Sequence, residues 1–219
     1  MNIRSVEGHL EVAKSMRFHL NADVAGQQSL WIVLHGYGQL SKYFIRKFDS
    51  LDPATHLVVA PEGMHRFYLE GFSGRVGASW MTKEDRLTDI VDYVAALNRL
   101  LDHFKSRFDS DFKLNILGFS QGAATAVRWL CQSEIECHQL VLWAGSFPPD
   151  IDFEKDVETL KNTSITSLVG TEDPFFSDEN SRKLTGIMDE YEIPYESRVF
   201  EGSHDVYPGP LQLLIQSWT

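Results

Sequence analysis

Ser120 lies in Gly118-Phe119-Ser120-Gln121-Gly122, between the apolar run Leu114–Leu117 and the small-residue run Ala123–Val127, which reads as the start of a helix. G-x-S-x-G in that setting is a sharp strand-to-helix turn that lifts a serine hydroxyl clear of the backbone. The two glycines are needed because any side chain there would strike the neighbouring strand or helix. A serine hydroxyl is a weak nucleophile at neutral pH. It needs an adjacent base to take its proton and a carboxylate to orient that base. Asp173 and His204 follow Ser120 in the chain order expected for such a turn. Asp173 falls in the tight turn Gly170-Thr171-Glu172-Asp173-Pro174, directly after an apolar run. His204 falls in Gly202-Ser203-His204-Asp205, and no other histidine lies beyond position 138. Asp150, Asp152, Glu172 and Asp178 are rivals for the acid.

Attack on an acyl carbon builds negative charge on the carbonyl oxygen, which must meet preorganised donors. One is the backbone N–H of Gln121, at the helix N-terminus. The second comes from His35-Gly36-Tyr37-Gly38, with the N–H of Tyr37 as the candidate and His35 as a brace for the loop.

These residues can meet only if the chain brings its strand ends to one rim. Apolar runs at 30–34, 56–60, 113–117 and 165–169 read as buried strands, and 138–143 and 195–200 as further strands. Helical spacing marks 41–50, 84–108, 121–131, 178–190 and a short segment after Pro208. Residues 10–20 alternate like an exposed edge strand, and 144–162 reads as a loop. Residues 61–83 hold no period and read as a long irregular segment rich in aromatics, of a length that is usually functional. Strands and helices alternate, so the fold class is α/β, with a mostly parallel central sheet and helices on both faces. In such a sheet, ligands gather beyond the carboxyl ends of the strands. The runs ending at 34, 117, 169 and 200 all lead into the loops named above.

With 219 residues, 43% hydrophobic and 23% charged, the chain fits one domain, 1–219. A formal net charge of -11 argues against nucleic acid or an anionic bilayer as partner. The charged N-terminus lacks a secretory core and no stretch is apolar enough to span a bilayer, so a cytoplasmic protein without stable membrane insertion is expected. Cys131 and Cys137 have no ligand-spaced partners and suggest neither a disulfide framework nor a metal site. Nothing in the sequence excludes a homodimer.

Leu34-His-Gly-Tyr-Gly38, Gly118-Phe-Ser-Gln-Gly-Ala123, Gly170-Thr-Glu-Asp173 and Gly202-Ser-His204, in that order over nearly the whole chain, resemble the phospholipase/carboxylesterase family of α/β-hydrolases. That family includes acyl-protein thioesterases and small bacterial esterases. The resemblance implies a serine hydrolase that needs no cofactor, with Ser120 as nucleophile, Asp173 as acid and His204 as base. Ala123 and Trp80-Met81-Thr82 depart from the thioesterase branch and favour a carboxylesterase acting on carboxylic esters through an acyl-enzyme. Thioesterase or lysophospholipase activity, and a non-catalytic binding protein, are the alternatives. The helices, strands and loops use the whole length, which leaves no room for a separate lid domain. Phe72, Trp80, Met81, Phe175 and Phe176, from loops near the rim, would wall a pocket for an apolar acyl or aromatic ester, or else fill core space.

Overall fold

The computed structural model describes residues 6–24, 26–108, 112–175 and 177–218. Its main sheet is built from the apolar runs, each flanked by helices. In chain order come β1 (Phe18–Leu20), β2 (Ser29–Leu34), α1 (Ser41–Phe44) with a following 3-10 turn at Ile45–Phe48, and β3 (His56–Pro61). A hairpin of β4 (His65–Glu70) and β5 (Ser73–Ser79) precedes α2 (Arg86–Lys105). Then follow β6 (Lys113–Phe119), α3 (Gln121–Cys131), β7 (Gln139–Trp143), α4 (Phe153–Lys161), β8 (Ser164–Gly170), α5 (Asp178–Glu190), β9 (Tyr195–Phe200) and α6 (Pro208–Gln216).

The seven-stranded sheet runs β1-β3-β2-β6-β7-β8-β9. Only β1 is antiparallel to its neighbour. From β2 the chain steps outward to β3, and after β6 it steps the other way, so the order reverses between β2 and β6. That reversal opens a crevice at the carboxyl ends of these two strands.

Both faces of the central strands β2, β3, β6 and β7 are covered, which explains why these are apolar throughout rather than alternating, while the edge strands β1 and β9 stay half-exposed. Leu30, Ile32 and Leu34 of β2 pack with α2 and α3, while Trp31 and Val33 face the other way, toward Phe44, Phe48, Leu211 and Leu214.

Three expectations change. The segment 61–83 is not irregular: it holds the hairpin, pinned to the rest of the chain by a bridge from Gln39 to Ala78. Its strands are largely exposed and interrupted by Gly71, Gly74 and Gly77, so no buried face imposes a two-residue period. The presumed loop 144–162 contains α4, whose first turn is capped by the Asp152 side chain accepting from Lys155 N–H. Nine residues with five charges among them carry little periodic signal. Of residues 10–20, only Phe18–Leu20 pair as a strand.

At the exit of β3, the Glu62 carboxylate is fully buried and collects Arg17 at 2.7 and 2.8 Å, Arg66 at 2.6 Å, and the N–H and hydroxyl of Ser41. Burial alone would push this carboxyl up. The hydrogen bonds from Arg17, Arg66 and Ser41 outweigh it and hold the group at about 2, against an ordinary 4.5. One side chain thus ties β1, α1, β3 and the hairpin together.

Two outcomes follow for stability. A Cβ at Gly118 would lie 2.2 Å from the Gly122 carbonyl oxygen, so Gly118→Ala is expected to lower unfolding free energy by about 1–3 kcal/mol, read from the urea midpoint. Because the folded pKa of Glu62 is depressed, its contribution is present above about 4.5 and is lost as pH falls toward about 2. Glu62→Gln is therefore expected to destabilise strongly at pH 7 and progressively less toward pH 2; an equal loss at both ends would remove Glu62 from this role.

Candidate active site

Ser120 occupies the turn between β6 and α3 with φ 53° and ψ -114°, a conformation that non-glycine residues rarely adopt. The turn is forced. Its N–H donates to the Trp143 carbonyl at 2.9 Å, its carbonyl accepts from Ala123 N–H at 3.0 Å, and Gly118 and Gly122 leave no room for relaxation. A Cβ at Gly122 would sit 2.1 Å from the Leu34 carbonyl oxygen, so α3 starts hard against the exit of β2. Strain of this kind is held by its surroundings and concentrates at functional sites.

At the exit of β8, Asp173 turns its carboxylate inward, with a side chain only 1% exposed. One oxygen accepts the Phe175 N–H at 2.8 Å, and the other pairs with His204 Nδ1 at 2.7 Å. The imidazole of His204 lies 4.9 Å, centroid to centroid, from Phe119, the residue before Ser120, and 4.9 Å from Phe175. The carboxylate, the imidazole and the serine turn therefore share one edge of the sheet. Among the described residues the Ser120 hydroxyl has no hydrogen-bond partner, so its contact with the imidazole is not closed here. Such contacts are often long without substrate.

The rivals of Asp173 are otherwise engaged. Asp150 receives Arg128 at 2.6 and 2.9 Å and Arg86 at 2.8 Å, and the Arg128 hydrogen bond, assisted by Arg86, holds its carboxyl at about 2. Asp152 caps α4. Glu172 is exposed, and nothing is described for the Asp178 side chain.

The loop after β2 is braced from within. His35 is fully buried. Its Nε2 accepts the Gly63 N–H at 2.9 Å, so the proton resides on Nδ1 and is donated to the Gly36 carbonyl at 2.7 Å. Burial pushes its pKa down and keeps the ring neutral, against weaker opposing effects of Gly36 and Glu62. The Gly36 carbonyl also accepts from Gln39 N–H at 3.2 Å. A trans peptide points its N–H opposite its carbonyl, so fixing Gly36 fixes the direction of the Tyr37 N–H. Among the described residues neither the Tyr37 nor the Gln121 N–H has a hydrogen-bond acceptor. The Gln121 side chain is not at the site opening. It clamps the exit of β5, donating to the Met81 carbonyl at 2.8 Å and accepting from Trp80 N–H at 3.2 Å.

The aromatic candidates divide. Phe175 stands at the site, 75% exposed beside His204. Trp80 does not wall a pocket: it is 0% exposed, packs against His35 and Tyr93, and donates its indole N–H to the His35 carbonyl at 2.9 Å. Phe72 is 97% exposed in the hairpin turn, with nothing to pack against. Met81 is half-buried, its sulfur 3.7 Å from Arg128 Nη1. Phe176 lies outside the described residues.

Two supports left no mark in the sequence. Lys47 pairs with Asp205 at 2.5 Å, and the Trp143 indole donates to the Asp205 carbonyl at 2.8 Å, so the histidine loop is anchored from both sides. A lysine in a half-turn and a tryptophan at a strand end become informative only once the fold brings them to residue 205.

Among solved structures, the fold matches Zea mays acyl-protein thioesterase 2 with a TM-score of 0.71 at 17% identity, covering 92% of this chain and 97% of that one. A carboxylesterase from Mesorhizobium loti matches at 0.69 and 15%, covering 93% of each chain. The Bacillus cereus carboxylesterase matches at 0.66 and 17%, again covering 93% of each. These likenesses establish the α/β-hydrolase fold expected from the motifs. No curated protein matches the sequence. The family model described as Serine hydrolase (FSH1) matches residues 27–207, most of the chain. The chain therefore belongs to the FSH1 serine hydrolase family.

Proposed function

We propose that the protein is a cytoplasmic, single-domain carboxylic ester hydrolase that works through an acyl-enzyme on Ser120, without a cofactor. The observation that carries this reading is the 2.7 Å pairing of His204 Nδ1 with the buried Asp173 carboxylate, beside a serine held at φ 53°.

The pairing keeps the Nδ1 proton on the Asp173 side and leaves Nε2 as the base. Nε2 takes the Ser120 proton as Oγ attacks the ester carbon. The carbonyl oxygen becomes an oxyanion facing the unpaired N–H groups of Tyr37 and Gln121. Collapse breaks the bond to the leaving oxygen, which departs with the proton from Nε2. Water then repeats the sequence on the acyl-enzyme, releasing the acid and restoring Ser120. Substrate is an uncharged ester with an apolar or aromatic portion lying against Phe175 and the exposed ring of Tyr37. A net charge of -11 disfavours polyanionic partners.

Three outcomes test the reading. A fluorophosphonate probe is expected to label the native chain and not Ser120→Ala; labelling that survives the substitution displaces Ser120. Asp173→Asn leaves a neutral partner that favours the wrong imidazole tautomer and is expected to lower kcat by about 10⁴, the scale known for the same change in another serine hydrolase. In a panel of 4-nitrophenyl esters, acyl-CoA thioesters and lysophospholipids, the esters are expected to show the highest kcat/KM. A higher value for the thioester would move the protein to thioester hydrolysis with the machinery unchanged.

A further inference from the structure

Beside the candidate triad, on the β7–β8 side of Ser120, the surface sinks into a recess of about 170 Å³ between the sheet and α5. Ser120 and His204 do not line it, but residues in contact with each of them do. Gly145 forms part of the wall, and a Cβ there would lie 2.7 Å from the Ser120 carbonyl oxygen. Asp173 and Phe175, both against His204, form another part. The loop bearing Tyr37 follows β2, on the opposite side of β6.

The lining is unusual for a place where a helix covers a sheet. Ser167 of β8 and Ser197 of β9 sit at the same register and line the recess together with Tyr195. Ser181 of α5 faces them. An interface of this kind normally excludes hydroxyls, because each must find a partner or lose free energy. Ser146 and Ser177 add two further hydroxyls, and the larger part of the surface is apolar, from side chains such as Val169 and Leu184. A mostly apolar hollow with a few placed hydroxyls is the usual composition of a small-ligand site. An apolar cavity of about 150 Å³ takes a benzene-sized group, so this one suits about six non-hydrogen atoms.

The tetrahedral carbon on Ser120 directs its oxyanion toward the β2 side and its leaving oxygen toward His204. The acyl carbon chain is the remaining substituent, and the recess beside Gly145, on the far side of β6 from the Tyr37 loop, is a hollow that can receive it. We infer that the recess is the acyl subsite and that it selects a short acyl group carrying a hydroxyl, of the 3-hydroxybutyrate kind, which bonds to the Ser167–Tyr195–Ser197 cluster. This rests on the ester hydrolase reading above and narrows its substrate class. It also differs from what a long-chain thioesterase would need, since a sixteen-carbon acyl chain far exceeds the volume.

The test uses the full chain with ethyl butyrate, ethyl 3-hydroxybutyrate and ethyl octanoate, followed by proton release. The expected order of kcat/KM is hydroxybutyrate, butyrate, octanoate. Ser167→Ala and Tyr195→Phe each are expected to cut the hydroxybutyrate-to-butyrate ratio by about fivefold to tenfold, the worth of one hydrogen bond. Because the readout is a ratio measured on one protein preparation, partial misfolding cancels. Ser181→Leu, on the surface of α5, narrows the hollow from the other side and is expected to penalise octanoate most. Equal rates on hydroxybutyrate and butyrate, or a ratio that none of the substitutions moves, overturns the subsite while leaving ester hydrolysis standing. Sensitivity of the variants to the alcohol portion rather than the acyl portion overturns it in the same way. Hydrolysis of none of the three esters overturns both readings.

Discussion

The structure depends on how closely the first turn of α3 approaches the ends of β2 and β6. Gly122 lies where a Cβ would be 2.1 Å from the Leu34 carbonyl oxygen, and Gly118 where one would be 2.2 Å from the Gly122 carbonyl oxygen. No side chain larger than hydrogen fits either place. That contact sets the position of the helix N-terminus, the dihedral angles of Ser120 and the distance from Ser120 to the loop that follows β2. A wider turn would bury the hydroxyl in the strand or swing it away from the rim, and the Gln121 N–H would move with it.

A tight turn is useful only if its neighbours are equally fixed, and the protein does this with buried polar groups in place of further apolar packing. Glu62 gathers four elements, and Gly63, the next residue, donates to His35, which in turn sets the Gly36 peptide. Gln121 holds the exit of β5 from the other side. Across the sheet, Lys47 and Trp143 hold residue 205, while Arg128 and Arg86 share Asp150. Glu62, His35 and Arg128 are buried while Arg17, Arg66, Lys47 and Asp205 are half-exposed, and all of them are hydrogen-bonded; Arg86 Nε alone of these groups is buried without a partner among the described residues. A satisfied buried network rigidifies its surroundings, whereas removal of one member leaves the others as uncompensated charges. The loops around the site are thus fixed by directional bonds, which specify orientation better than hydrophobic contact does.

The motifs were legible because they are local. A glycine-flanked serine after an apolar run, an acid in a tight turn and a histidine after the final strand are each encoded within five residues, and the α/β pattern follows from strand and helix periods. What stayed hidden depends on the tertiary environment. Trp80 lies in a segment without a period, which leaves pocket wall and core equally open; the fold decides for core, with the indole buried against His35. The hairpin at 65–79 has no buried face to imprint a period. Helix α4 is short and charged, and its covered side is set by packing against α3 and β8, which no local pattern records. The Glu62 cluster joins residues 17, 41, 62 and 66, whose separation in the chain conceals their common partner.

Local rules are broken around Ser120, as they are at Asp85 and Glu192 elsewhere in the chain. Ser120 and Ala144 both have positive φ, at 53° and 49°, and Ala144 is held there by its N–H bond to the Leu168 carbonyl at 2.7 Å. Gly145 follows, pressed against Ser120. Immediately beyond it the sheet exchanges apolar residues for Ser167, Tyr195 and Ser197. Valine at residue 167 would bury more apolar surface and leave no hydroxyl to satisfy, so stability alone would favour it. The same holds for glycine at residue 144, which tolerates positive φ without strain. Sites where a sequence departs from the locally favoured residue, with no compensating contact elsewhere in the fold, are where a requirement other than folding is at work. Here those departures run from the backbone of Ser120 through Ala144 and Gly145 to the hydroxyls beneath α5.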